Sequence, residues 1–222
     1  MMKRNNFPFS AVLGLNHAKT AILIVLVNPR AGGLLISGPR GIGKSTLMRS
    51  TQELIERPWR DIPVSVTEDR LFGTIDTEKA IYSGQKKLYP GIINEADQGV
   101  LYLDDANLLR EDLLDSILNI AEVGAYQLER DGLSLRCDTS FTVIAAINPE
   151  SGMLSGACLD QFGLFVNVDN IHDENTRVEI LKRTISFEKD CASFCKLWKL
   201  ENEKIKKAIH SAMSLLPKVV VS

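Results

Sequence analysis

Short apolar runs alternate with longer amphipathic stretches along this chain. The runs are Leu34-Leu35-Ile36, Val100 to Leu103, Phe141 to Ile147 and Leu164 to Val168. Val100 to Leu103 has no polar interruption, which predicts a strand buried on both faces, as in a parallel sheet. Val64-Ser65-Val66 reads as a further short strand. Helical patterns lie between the runs. Asn16 to Val27 carries Ala18, Ala21, Ile22 and Ile24 to Val27, enough for a well-buried helix that Pro29 and Gly32-Gly33 stop. Ser45 to Ile55 looks helical. Asn107 to Val123 has apolar positions at Leu108, Leu109, Leu113, Leu114, Ile117, Leu118 and Ile120, closed by Gly124. Asp173 to Thr184 predicts another helix, and Glu188 to Leu216 an amphipathic helical tail through Phe194, Leu197, Leu200, Ile205, Ala208, Ile209 and Met213. Tyr126 to Arg136 reads as a hairpin with its turn at Asp131-Gly132. Asp76 to Pro90 mixes charged and small residues and reads as an exposed insertion.

Two of the apolar runs end in chemistry. The first continues into Gly38-Pro39-Arg40-Gly41-Ile42-Gly43-Lys44-Ser45-Thr46, the phosphate-binding pattern G-x-x-x-x-G-K-[ST] read from Gly38 to Ser45. Gly38, Gly41 and Gly43 let successive N–H groups turn inward at phosphate oxygens. Lys44 supplies positive charge for the β- and γ-phosphates, and Ser45 offers a hydroxyl to Mg²⁺. The start of the following helix would also face the anion. The second run delivers Asp104 and Asp105 at a strand's C-terminal end, where open α/β sheets bind ligands. Beside a phosphate loop, Asp104 is expected to hold Mg²⁺ through water and Asp105 to orient the attacking water. Without the loop, two solvated acids closing a strand would be the simpler reading. Asn148 ends the Phe141–Ile147 run before Pro149. Spacing alone leaves open whether its amide serves a γ-phosphate or lytic water, or only the turn.

Composition adds mainly exclusions. The 222 residues are 45% hydrophobic and 24% charged, ordinary for a globular chain with a sizeable core. A net charge of −2 gives no sign of a nucleic-acid or membrane surface. The hairpin at Gln127 to Arg136 occurs in some DNA motors, but only Arg130 and Arg136 are basic here, so nucleic acid is not an expected partner. Ala21 to Val27 is too short to span a bilayer, and no apolar core follows the basic start as in a secretory signal, so a cytoplasmic protein is expected. Cys137, Cys158, Cys191 and Cys195 fit no zinc spacing and read as reduced thiols.

Strand, phosphate loop, acidic strand and Asn-tipped strand follow the order of an AAA+ ATPase. More closely, the chain resembles the I subunit of magnesium chelatase. The resemblance rests on Phe7-Pro8-Phe9, Thr67-Glu68-Asp69-Arg70, Gly73-Thr74-Ile75-Asp76, Tyr89-Pro90-Gly91, Leu101-Tyr102-Leu103-Asp104, Asn107-Leu108-Leu109 and Asn148-Pro149-Glu150-Ser151-Gly152. Leu159-Asp160, Phe162-Gly163 and Arg177-Val178 fit it too, and it runs from about Phe7 to Pro217. It implies an α/β AAA+ P-loop NTPase: a central parallel sheet flanked by helices over residues 1–170, then a helical connector over 171–222, with the C-terminal lid truncated or absent. It implies that Gly38 to Thr46 is the Walker A loop, Asp104 and Asp105 the Walker B pair and Asn148 sensor 1, with Val12, Leu13 and Gly14 near the adenine. It further implies ATP and Mg²⁺ as cofactors and a homo- or hetero-oligomeric, hexameric AAA+ ring. The implied partners are a von Willebrand A-domain subunit and a large porphyrin-binding subunit. Together these insert a metal into a tetrapyrrole such as protoporphyrin IX, in chlorophyll or related biosynthesis.

Three positions depart from the family pattern. Asp105 stands where the family has glutamate, one methylene longer. Gln161 stands where the family places an arginine that reaches the neighbouring subunit's nucleotide. The chain ends at Ser222, about where the helical lid with its sensor-2 arginine begins. Weak intrinsic hydrolysis is therefore expected. The alternatives are a nucleotide-binding structural ring member that relies on a partner's arginine, and an AAA+ ring chaperone that matures metalloproteins with a von Willebrand A partner.

Overall fold

A computed structural model describes residues 6–75, 88–130 and 133–219. Residues 76–87 of the expected insertion and the turn at Asp131-Gly132 lie outside the described residues. In chain order the elements are α1 (Asn16–Val27), β1 (Leu34–Ser37), α2 (Lys44–Ser50), β2 (Trp59–Ile62), α3 (Glu68–Phe72), β3 (Gly73–Ile75), β4 (Leu88–Pro90), α4 (Ile92–Glu95) and β5 (Val100–Leu103). There follow α5 (Glu111–Val123), β6 (Ala125–Arg130), β7 (Leu133–Asp138), β8 (Thr142–Ile147), α6 (Gly156–Asp160), β9 (Leu164–Asn167), α7 (Glu174–Lys189) and α8 (Cys191–Leu215).

The apolar runs form the middle of a five-stranded sheet in the order β2-β5-β8-β1-β9, and every neighbouring pair is parallel. Every residue of β1, β5 and β8 is buried, as expected for strands covered on both faces. Alternate side chains serve the two faces. Leu35, Leu101, Leu103, Val143, Ala145 and Ile147 pack against α5 through Leu113, Leu114, Ile117 and Leu118. Leu34, Ile36, Val100, Tyr102, Ile144 and Ala146 pack on the other face with Ile22 and Leu26 of α1, Leu47 and Met48 of α2, and Ile209 of α8. Two antiparallel ribbons, β3–β4 and β6–β7, stand apart from this sheet.

Several boundaries differ from the sequence reading. Val64 to Val66 is not a strand; the edge strand is β2, just before it. Its Trp59, Arg60 and Asp61 are not buried, so the segment lacks an apolar run, and the Val66 N–H instead donates to the Pro63 carbonyl at 3.0 Å to close a turn. The helix expected from Asn107 starts at Glu111. Asp105 has φ 51, Ala106–Leu108 make a single 3₁₀ turn, and Leu109 is extended, so Leu108 is exposed. The helix after the phosphate loop ends at Ser50 and continues as a 3₁₀ turn over Thr51–Glu53. The helix expected to end at Thr184 runs on to Lys189. Asp190 then breaks the chain direction, and its carboxylate accepts from Ser193 N at 3.0 Å to cap α8.

α8 lies along α1 with Phe194 and Ile209 buried. Its buried Asn202 accepts from Ser10 N at 2.9 Å and from Ser10 Oγ at 2.7 Å, tying the N-terminal segment to the helix. Ile209→Ala is expected to lower stability by about 2–4 kcal/mol in urea unfolding, the range for emptying a buried aliphatic site. A loss under about 0.5 kcal/mol, typical of a surface position, would mean that α8 is not part of the cooperative core.

Candidate functional site

β1, β5 and β8 run parallel, so their C-terminal ends share one edge of the sheet. The register sets Ser37 level with Ile147, and Leu103 level with Ala145. The phosphate loop, the acidic pair and Asn148 therefore emerge close together at that edge. Gly41 and Gly43 have φ 81 and 93, a conformation that favours glycine, and they bend the loop back over the edge. Gly38 has no such angle but touches β9's continuation: a Cβ there would lie 2.5 Å from the Val168 carbonyl oxygen.

Lys44 is the first residue of α2 and is only 7% exposed. Its Nζ donates to the carbonyls of Gly38 at 2.5 Å and Pro39 at 2.8 Å. Burial lowers its pKa, against the opposing charges of Asp105 and Asp104. Ser45 Oγ donates to Asp104 Oδ1 at 3.0 Å. A hydroxyl and a carboxylate meeting this way form the hard-oxygen pair that Mg²⁺ takes, usually with waters retained. Beside them sits the Tyr102 hydroxyl, buried and without a hydrogen-bond partner, which fits a site that recruits a further polar group. Arg49, one turn beyond Ser45, brings Nη2 to 3.7 Å from Asp104 Oδ2 and Nε to 3.7 Å from Asp61. Asp105 is held in the left-handed region at φ 51, a strained setting that a short Asp tolerates better than most residues.

Asn148 is 2% exposed. Its Oδ1 accepts from Glu150 N and its Nδ2 donates to Ser151 Oγ, both at 3.2 Å, so its amide braces the turn before it meets any ligand. Asn107 clamps that turn to the acidic loop: Nδ2 donates to the carbonyls of Asn148 at 3.2 Å and Gly152 at 3.0 Å. Arg40 reaches the same turn at Ser151 Oγ, 3.5 Å away.

A cleft of about 570 Å³ opens beside Gly41, Ile42, Gly43 and Thr46, within the usual size of small-molecule sites. Val12 and Leu13 line one wall. The other wall is Ile171 and the α7 face bearing Arg177, Ile180, Thr184 and Phe187, which was not anticipated although its i, i+3, i+4 spacing is visible in the sequence. Cations hold the near wall. Arg183 Nη1 donates to Ala11 O at 3.0 Å, and Lys19 Nζ donates to Val12 O while lying 5.6 Å from the Phe9 ring centre. Burial, then the charge of Arg183, lowers the Lys19 pKa. Phe7, Phe187 and Phe194 close the base with ring centres 5.1 to 5.7 Å apart. Gln161 lines no part of this cleft; its Nε2 bonds back to the Ala157 carbonyl at 3.5 Å. Among the described residues, no helix is long and apolar enough to cross a membrane.

Known proteins share this arrangement. The family model for the AAA domain, dynein-related subfamily, matches residues 33–161. The chain is 35% identical to the magnesium-chelatase 38 kDa subunit of Rhodobacter capsulatus, covering 96% of this chain and 70% of that protein. It is 33% identical to the magnesium-chelatase subunit ChlI homolog of Methanocaldococcus jannaschii, covering 100% and 71%. Among solved structures it matches a chain of the complex between subunits BchI and BchD of magnesium chelatase, based on a single-particle cryo-EM reconstruction. That match has a TM-score of 0.70 and 35% identity over 97% of this chain and 77% of the other.

Asn107→Ala removes both bonds of the clamp. It is expected to cost about 1 kcal/mol and to speed hydrogen exchange at the amides of Ser151 and Gly152, which bond to Asn148 O and Pro149 O. Unchanged exchange at those amides would show that the clamp does not hold the turn.

Proposed function

The chain belongs to the magnesium-chelatase I-subunit family of AAA+ proteins, and from that membership we propose that it binds ATP·Mg²⁺ at the loop between β1 and α2. We infer that it serves as the ATPase subunit of a chelatase-like complex that drives metal insertion into a tetrapyrrole such as protoporphyrin IX. The observation that carries the reading is the 3.0 Å bond between Ser45 and Asp104, made beside a buried Lys44 at the start of α2.

In this reading the amides of Gly38 to Thr46 surround the phosphates. Lys44 exchanges its two carbonyl partners for phosphate oxygens, a charge-assisted and stronger pairing. Ser45 and Asp104 hold Mg²⁺, which neutralises the charge developing on the phosphates. Asp105 orients the attacking water and Asn148 senses the γ-phosphate from its braced turn. The base and sugar occupy the cleft between Val12-Leu13 and α7, so the helical segment from 171 onward takes part in closing over the nucleotide. The BchI–BchD assembly of the structural relative supports a ring with a partner subunit. The von Willebrand A-domain partner and the large porphyrin-binding subunit rest on the family resemblance.

Two residues favour slow hydrolysis by the chain alone. Asp105 is one methylene short of the family's glutamate, and small displacements of a reacting group can cost about 10²-fold. Gln161 cannot supply the positive charge that an arginine finger brings, worth about 10³–10⁵ in turnover in related enzymes. The same two features suit a ring member that turns over ATP only with a partner's arginine.

Lys44→Ala is expected to weaken ATP·Mg²⁺ binding by at least about tenfold, the loss of charge-assisted hydrogen bonds, as read by calorimetry. Equal affinity would reject the loop as the phosphate site. The purified chain should hydrolyse ATP slowly, and Gln161→Arg should raise steady-state turnover at least about tenfold. Brisk turnover by the unaltered chain would contradict this account of Gln161 and Asp105. No gain from Gln161→Arg would move the limit to Asp105 or beyond.

A further inference from the structure

Among the described residues, the buried side-chain polar atoms without a hydrogen-bond partner are Tyr102 Oη and Asn107 Oδ1. They stand on either side of Asp104-Asp105 in the chain. A buried hydroxyl left unpaired is destabilising, and a phenylalanine would fill nearly the same volume without that cost. The hydroxyl at Tyr102 therefore needs a purpose beyond packing.

Its surroundings point to one. Tyr102 packs in one cluster with Leu47 and Met48 of α2, and Asp104, just past the end of β5, accepts from Ser45 of the same helix. The ring is fully buried, 5.9 Å from that of Trp59, in the cluster with Ile36 and Met48. Asp104 and Ser45 both lie within reach of the phenol oxygen. A phenol keeps its proton at neutral pH, so the hydroxyl is a donor. It completes a hydrogen bond to neither group. Ser45 takes Asp104 Oδ1, and Arg49 stays 3.7 Å from Oδ2 while also facing Asp61. A carboxylate has room for several donors, and this one accepts a single side-chain hydrogen bond.

We propose that Tyr102 is a positioning residue for the cation half of the site: when Ser45 and Asp104 hold Mg²⁺, the Tyr102 hydroxyl donates to the Asp104 carboxylate and fixes its orientation. Outer partners of this kind commonly orient metal-holding groups. Tyr102 suits the task because its ring is locked in the core, whereas Arg49 is half exposed and its ion pairs are weak. The inference rests on the nucleotide site proposed above.

The test is Tyr102→Phe. Calorimetry with a non-hydrolysable ATP analogue, once with excess Mg²⁺ and once in EDTA, gives the coupling between cation and nucleotide. Thermal unfolding without nucleotide reports on packing. With Mg²⁺ the affinity should fall about tenfold, the loss of one hydrogen bond to a charged group. In EDTA it should stay within about twofold, and the midpoint of unfolding should be unchanged or higher, because an unpaired hydroxyl has left the core. Unaltered affinity in Mg²⁺, an equal loss with and without the cation, or a lower midpoint would each overturn the proposal. An unaltered chain that binds no analogue would overturn the nucleotide site itself and this inference with it.

Discussion

The hydrogen bond from Ser45 to Asp104 spans 59 residues of sequence, and the sheet makes it possible. β1 and β5 do not touch; β8 lies between them. Two strand spacings, about 9.6 Å, separate the loop that carries Ser45 from the strand that carries Asp104. The loop must therefore arch over the tip of β8, and Gly41 and Gly43 supply the backbone angles for that arch. Asn148 lies under the arch because it ends β8. One strand order thus brings a cation, a hydroxyl, two acids and an amide to one place.

The strand order depends in turn on burial. β1, β5 and β8 expose neither face, so none can sit at an edge without leaving apolar side chains in water. The edge positions fall to β2 and β9, whose exposure alternates or is mostly open. The site sits at the ends of the fully buried strands, while the cleft beside it is built from helices and an N-terminal segment. Those outer parts share the apolar cluster on one face of the sheet and are tied together by Arg183 to Ala11, Lys19 to Val12 and Asn202 to Ser10.

The same division explains what the sequence disclosed. Strands buried on both faces announce themselves by runs without polar breaks, and the phosphate loop is a local backbone pattern that its glycines reveal. β2 gave no such signal because its Trp59, Arg60 and Asp61 are not buried. The start of α5 was misplaced because Leu108 continues the apolar spacing while the extended backbone at Leu109 and Arg110 separates its 3₁₀ turn from the helix. In the site, Lys44, Ser45, Asp104 and Asp105 were legible from spacing. Arg49 on α2 and the Tyr102 hydroxyl inside an apolar strand belong to no spacing pattern that would single them out. The α7 wall was missed because it lies far along the chain from the loop it faces. Asn148 was legible as a position but ambiguous as a role, and its bonds to Glu150 and Ser151 show that its amide serves the turn.

The most direct test is a crystal structure of this chain with a non-hydrolysable ATP analogue and Mg²⁺. The account predicts the terminal phosphates against Lys44 Nζ and the amides of Gly41 to Thr46. It predicts the cation on Ser45 with Asp104 behind it, and the base between Val12-Leu13 and Ile180. A nucleotide bound elsewhere, or a cation held without Ser45 and Asp104, would contradict it.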